Sequence, residues 1–316
     1  MPNDKIKHGR SKHISNYGGV GSLIETTDCS IIIETFDNWG YSDLNNNLAL
    51  YIIKDDRLRQ RLKSRFQNLK HLVAIPTDKN SFQHQGRPKA NYFPKWFYCT
   101  TCNKFAEYSE WKDRWKSSGK NLDFFNPPKC NNRDCKESHL EQIRFVMTCA
   151  NGHIHDIPWA YWNNRLPTDT SNQEEIEDDT KEGKVVGPQL EFSQKCCTDQ
   201  SLTYKISREN TELSGIWVEC ANCKKKQNLK GIFNYEQKCL GKKYWVGQLN
   251  GKFSEEECTA TTSVKVKTSN SVYYSNTLSS LYIPEMQINL SSENRIELDN
   301  LVESNKFTKE QINCSR

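Results

Sequence analysis

Residues 97–102 read FYCTTC and residues 129–135 read KCNNRDC. Two intervening residues let Cys99 and Cys102 reach one tetrahedral zinc from a tight knuckle, and Cys130 and Cys135, slightly wider apart, can close the other two positions. Four sulfurs leave no open coordination position, so the pattern predicts a structural site that anchors the chain between the two pairs. In that interval EYSEWKDRW reads as a helix with Tyr108, Trp111 and Trp115 on one side. A second set is expected further on, with Cys220 and Cys223 in VECANC followed by Cys239 and Cys258 at longer, unequal intervals. Cys196 and Cys197 rival the later pair for ligand positions, while Cys29 and Cys314 read as ordinary thiols. The expected cofactor content is therefore two structural zinc ions.

Composition agrees with metal rather than disulfides. The chain has 316 residues and 13 cysteines, an odd number that includes close CxxC pairs, which suits thiolate ligation in a reducing compartment. Only 35% of residues are hydrophobic, yet aromatics reach 11%, so the chain folds while leaving much of its surface polar. No window approaches the roughly 18 consecutive apolar residues of a membrane span, and the basic opening MPNDKIKHGRSKH has no apolar run behind it. These features predict a cytoplasmic protein with no membrane partner. The net charge of +5 is compatible with nucleic acid without requiring it.

Along the chain, SLIETTDCSIIIETFDNW reads as a hairpin with its turn at Thr27 and Asp28, and residues 48–71 as a helix or helix pair with one basic side. GIWVEC, KKYWVGQL and TTSVKVKT read as strands, and residues 292–312 as a closing helix. Residues 169–182 carry seven acidic residues against one lysine. That composition predicts an exposed flexible insertion. The expected class is α+β, with mixed short strands and helices organised around two four-cysteine zinc sites. The expected division is an N-terminal region 1–168 with the first site, the acidic insertion 169–184, and a second zinc-binding region 185–316.

Between the two expected sites lies RFVMTCANGHIHDIPWAYW. Cys149, His153, His155 and Asp156 can imitate a zinc hydrolase or nuclease centre, since four-residue spacing brings a thiolate and an imidazole together. The favoured reading is a structural loop, in which the turn at Gly152, hydrogen-bonded His153 and Asp156, and the pair Pro158 and Trp159 fix the backbone and bury Trp159 and Trp162. There is no phosphate-binding Gly-Lys-Ser/Thr loop, metalloprotease helix motif or Gly-x-Ser-x-Gly turn. Basic residues cluster at Arg57, Arg61 and Arg65, spaced for one helix face, and at Lys224, Lys225 and Lys226 beside the second CxxC. Both clusters suit phosphate contacts without base reading. A DNA-binding module acting alone is a further alternative.

Taken together, YGGVGSLIE with ETFDNW, YFPKWFYCTTC, RFVMTCANGHIHDIPWAYW, VECANC and SNSVYYSNTLSSLYIP resemble, in order, the DrmB family of the DISARM antiphage defence system. The resemblance implies a non-catalytic subunit that binds a helicase-like protein of the DrmA type and helps it engage DNA. It also implies that the eight cysteines of the two sets are the zinc ligands, and that Gly152, His153, Asp156, Pro158 and Trp159 form the family's central loop. The likeness covers the N-terminal and central parts of that family, whose members continue into a further domain.

Overall fold

A computed structural model describes the protein over residues 18–39, 52–75, 88–164, 194–249, 252–274 and 276–279. It is a mixed α/β structure of many short strands and few helices. In chain order, β1 (Leu23–Glu25), β2 (Ser30–Ile33), β3 (Ile52–Ile53) and β4 (Leu72–Val73) precede the first knuckle. Around it lie β5 (Ala90–Tyr92), β6 (Trp96–Tyr98), β7 (Phe105–Glu107) and β8 (Glu141–Gln142), and the central loop follows from β9 (Phe145–Cys149) and β10 (Ile154–His155). The later strands are β11 (Leu202–Ile206), β12 (Ile216–Cys220), β13 (Lys226–Asn228), β14 (Glu236–Lys238), β15 (Lys242–Leu249), β16 (Lys252–Glu255) and β17 (Thr261–Val266). Helices α1 (Asp56–Lys63), α2 (Tyr108–Ser117) and α3 (Trp159–Trp162) complete the described elements.

Two compact units divide the chain, Met1–Tyr51 with Ala74–Thr277, and Ile52–Val73 with Leu278–Arg316. In the larger unit the expected first hairpin forms from β1 and β2, with Leu23 opposite Ile32 and Glu25 opposite Ser30. Its turn is closed by Thr26, whose hydroxyl donates to the Cys29 carbonyl at 2.6 Å and accepts the Cys29 amide at 3.1 Å. Strand β2 is central in its sheet, with β5 on its other edge, and it is buried at every residue. Ile32 packs with Phe93, Val146, Ile154 and Tyr244, so Ile31–Ile33 form an unbroken apolar run where a half-exposed strand would alternate.

Strand pairing crosses the division expected at residues 169–184. Strand β9 lies before that stretch and β17 after it, yet they pair through five residues, with Met147 opposite Val264, in the sheet ordered β10-β9-β17-β14. The chain on either side therefore shares one sheet and one core. Residues 169–182 and the expected helix at 292–312 lie outside the described residues.

That core is aromatic. Phe105, Trp159, Trp162, Tyr98 and Tyr204 are buried together, with ring centroids 5.6 Å apart for Phe105 and Trp159 and 5.5 Å for the two tryptophans. Each fully buried aromatic of this size contributes on the order of 2–3 kcal/mol through its apolar area. The central loop delivers Trp159 and Trp162 on α3, and α2 buries Trp111 and Trp115 as its periodicity requires.

The smaller unit corrects the helix expected over residues 48–71. Ile52 and Ile53, β-branched and suited to a strand, pair antiparallel with Val73 and Leu72. Asp55 then caps α1, its Oδ1 accepting the Leu58 amide at 2.9 Å, and the helix ends at Lys63. Arg57 and Arg61 lie on α1, but Arg65 falls beyond it, so the three do not share one helix face. Arg61 also donates to the Ser279 carbonyl at 3.1 Å, which draws the chain near residue 279 onto α1.

Candidate metal centres

Each CxxC knuckle sits at the tip of an antiparallel hairpin, with its first cysteine at or just after the end of the leading strand. Between β6 and β7, the Cys99 amide donates to the Lys104 carbonyl at 3.0 Å and the Asn103 amide to the Cys99 carbonyl at 2.8 Å. Between β12 and β13, the Cys220 amide donates to Lys225 at 2.9 Å and the Lys224 amide to Cys220 at 3.0 Å. The residue after each second cysteine turns the chain at positive φ, 56° for Asn103 and 61° for Lys224. That left-handed step points both sulfurs inward, and asparagine tolerates it more readily than lysine.

The sulfurs of Cys99, Cys102, Cys130 and Cys135 all lie within 4.8 Å of one another. The second pair comes from the segment between α2 and β8, where the Cys130 amide donates to Ser138 and the Ser138 amide to Cys135, both at 2.9 Å. Lys136 and Glu137, at φ 50° and 57°, make the reversal that brings Cys135 back towards Cys130.

The knuckle at Cys220 and Cys223 takes different partners from those expected. Its sulfurs cluster with Cys196 and Cys197, again within 4.8 Å, while Cys239 and Cys258 lie in another group with Cys149 and His153. The expected set of Cys220, Cys223, Cys239 and Cys258 is therefore split, and the described residues hold three such groups where two were expected. The reason lies in strand pairing. Leu202 on β11 is paired with Cys220 on β12, so the turn just before β11 lies beside the second knuckle. Lys238 on β14 is paired with Thr261 on β17, which carries Cys239 and Cys258 towards the tip of β9 instead.

Sulfur spacing tests the fit to zinc. A tetrahedral ion with Zn–S bonds of about 2.3 Å holds its sulfurs about 3.8 Å apart. Observed separations are 3.8 Å for Cys102 and Cys130, 3.6 Å for Cys197 and Cys220, and 3.9 Å for Cys196 and Cys197. Both four-sulfur groups can therefore hold a metal ion, and bound zinc would supply cross-linking between distant segments.

Electrostatics tell the same story. Burial pushes the Cys99 thiol up, but the backbone N–H groups of Cys102 and Thr101 and the Ser138 hydroxyl outweigh it and bring the thiol down to about 6. Burial and the neighbouring thiolates push Cys130 up in turn. In the second group burial is likewise outweighed at Cys220 by backbone N–H groups, chiefly that of Cys223, while Cys196 and Cys197 are raised. One thiolate per group is stabilised by the fold alone. Burial opposes ionisation of Cys130 and Cys135 in the first group and of Cys196 and Cys197 in the second, and a bound cation would offset it.

The central loop is held by several contacts. Asp156 Oδ1 accepts the Lys95 amide at 2.9 Å, and burial pushes its carboxyl up to about 6. Gly152 turns at φ 84°, His153 and Trp159 are buried, and Pro158 precedes α3 as its N-terminal flank. His155 is buried with its Nε2 3.1 Å from the Cys239 sulfur, and burial draws its pKa down to about 4, so the ring is neutral. Lys224, Lys225 and Lys226 are exposed at the tip of the second knuckle. Lys225 donates to Asn164 Oδ1 at 2.8 Å, and Lys226 lies 5.1 Å from the centroid of the Trp217 ring.

The donors of all three groups fall between residues 99 and 258, inside a stretch with family membership. A model of the domain of unknown function DUF8724 matches residues 9–274. The chain belongs to that family. No curated protein matches it. The family span begins before β1 and ends after β17, so it takes in both four-sulfur groups together with the sheets that position them. Among the described residues no helix is long and apolar enough to cross a membrane.

Proposed function

We propose that this DUF8724 protein is a non-catalytic, zinc-binding accessory subunit of a bacterial antiphage defence complex, assisting a DrmA-like helicase or translocase in engaging DNA. The observation that carries the non-catalytic part is the all-sulfur donor set, four thiols at tetrahedral spacing in each of two groups. Such a set fills the coordination sphere, whereas a catalytic zinc keeps a position for water or substrate. The partner and the defence role rest on the ordered sequence resemblance to the DrmB family. Exposed Lys224, Lys225 and Lys226 on the second knuckle of the larger unit, and exposed Arg57, Arg61 and Arg65 on and after α1 of the smaller one, each support phosphate contacts.

The hydrolase reading is less favoured because its four side chains have other engagements. Cys149 and His153 face Cys239 and Cys258, His155 abuts the Cys239 sulfur, and Asp156 holds the Lys95 amide.

Co-expression with a DrmA-like helicase tests the proposal. The expected result is a stable complex that binds DNA more tightly than the helicase alone, with affinity falling as salt rises. Charge reversal at Arg57, Arg61 and Arg65 should reduce that gain about tenfold or more while leaving the zinc content and the assembly intact. No complex, or a complex with no gain in DNA affinity, would count against the accessory role. An undiminished gain in the variant would assign the phosphate contacts elsewhere.

A further inference from the structure

The third group lies where the loop TCANGH meets two cysteines separated from it by about a hundred residues of chain. We infer that Cys149, His153, Cys239 and Cys258 form a third zinc centre, a Cys3His site in which His153 binds through Nδ1 and Glu256 orients its ring. His153, Cys239 and Cys258 are buried and Cys149 half-buried, and the four donor atoms lie within 4.8 Å of one another. For Zn–S of about 2.3 Å and Zn–N of about 2.0–2.1 Å, tetrahedral geometry puts sulfur and nitrogen about 3.5 Å apart. The Cys149 sulfur and His153 Nδ1 are 3.4 Å apart.

The outer contacts are those of a metal-bound imidazole. His153 Nε2 lies 2.7 Å from Glu256 Oε1, which fixes the proton on Nε2 and leaves the Nδ1 lone pair facing the sulfurs. Glu256 is itself ion-paired with Lys243. The sulfurs receive their own donors, the Gly241 amide on Cys239 and Asn151 Nδ2 on Cys258, each at 3.3 Å. These contacts offset the net negative charge of three thiolates on a divalent ion.

The site is also the third use of one hairpin device. Cys149 closes β9 as Cys220 closes β12, and TCANGH repeats ECANCK with Gly152 in place of the second cysteine. The positive φ arrives one residue early, at Gly152, and the hairpin closes earlier too, with the Gly152 amide donating to Cys149 at 3.1 Å. His153 follows directly and supplies the second donor that a cysteine supplies in the other two hairpins.

This inference does not depend on the accessory role, and its test reads metal content alone. Native full-length protein should carry three zinc ions per chain by elemental analysis. Cys239→Ser should carry two, and His153→Cys, which restores a thiolate donor, should keep three. In the cobalt-substituted protein, His153→Cys should strengthen the sulfur-to-cobalt charge-transfer absorption by the share of one added thiolate. Glu256→Gln should release one of the three ions to a competing chelator about tenfold or more faster, with the other two unaffected. Two zinc ions in the native protein would overturn the inference. So would iron with inorganic sulfide in place of the third zinc, or unchanged cobalt absorption in a folded His153→Cys protein. Should Cys239→Ser fail to fold, the histidine and glutamate variants still decide it.

Discussion

Asp156 is held in a position that opposes its own charge. Its Oδ1 accepts the Lys95 amide, but Oδ2 is buried and has no partner among the described residues, and burial raises the carboxyl to about 6. The folded-state pKa thus lies above that of the unfolded chain, near 4. Below about pH 4 the carboxyl is protonated in both states and costs nothing. Above about pH 6 it is ionised in both, and the folded state bears the full cost of up to about 3 kcal/mol. Asp156→Asn keeps an acceptor for the Lys95 amide and removes the charge, although its own amide group must then find a partner. The expected outcome is a variant about 1–2 kcal/mol more stable than the parent near pH 7.5, the advantage fading between about pH 6 and 4. Paired denaturant titrations across that range check it, and an advantage that grows as pH falls would contradict the account. The sequence placed Asp156 in a fixed loop, since a glycine turn followed by Pro-Trp restricts the backbone. Its perturbation depends on Lys95 and on burial, both of which arise only when distant strands pack.

At the scale of the element, the hairpin tip is the repeated unit of this fold. Two of the three tips were legible because CxxC is a local pattern whose ligands lie within one turn. The third was legible only in part. The four-residue spacing of Cys149 and His153 suggests a thiolate–imidazole pair, but with Gly152 in the position of the second cysteine the favoured reading is a structural loop, and His155 and Asp156 are grouped with them in place of Cys239 and Cys258. The repeat of CAN in TCANGH and ECANCK was the available signal. Partner choice was less legible still. Cys196 and Cys197 are adjacent to each other and resemble no knuckle, and only the pairing of β11 with β12 brings them to Cys220. The β15–β16 hairpin adds a further constraint through Gly241, which adopts φ 62°. A Cβ there would run into the Glu256 carbonyl, the backbone of the residue that orients His153. Gly241→Ala should therefore cost more than about 2 kcal/mol, through backbone strain and displacement of this hairpin. Its metal loss should be selective, one ion leaving while both knuckles retain theirs. Thermal unfolding with elemental analysis of the same sample reads both effects, and an unperturbed Tm with full metal content would contradict it.

Across the larger unit, the metal groups join segments that the strands alone connect weakly. Many of its strands span only two to five residues. Contacts that join the chain before residue 165 to the chain after 193 include the pairing of β9 with β17, the bridge between Lys104 and Thr203, and the group of Cys149, His153, Cys239 and Cys258, while each four-sulfur group ties segments on one side only. Short hairpins are marginal without a packed face or a cross-link. The aromatic core around Trp159 and Tyr204 supplies the first, and metal held by the cysteine groups at the hairpin tips would supply the second. Sequence composition made the class of the fold legible, because a cysteine-rich chain of short β-branched runs predicts strands organised around thiolate sites. It could not show that one core spans the acidic stretch, since that continuity lies in long-range strand register.

The central claim is that metal at these hairpin tips holds the fold together, and chelation tests it most directly. Native protein is titrated with a high-affinity zinc chelator under reducing conditions, while released zinc and near-ultraviolet circular dichroism of the buried tryptophans are followed in the same sample. The account predicts that loss of the aromatic signal accompanies zinc release and that added zinc alone restores it. Complete removal of the metal with the tryptophan signal unchanged would contradict it.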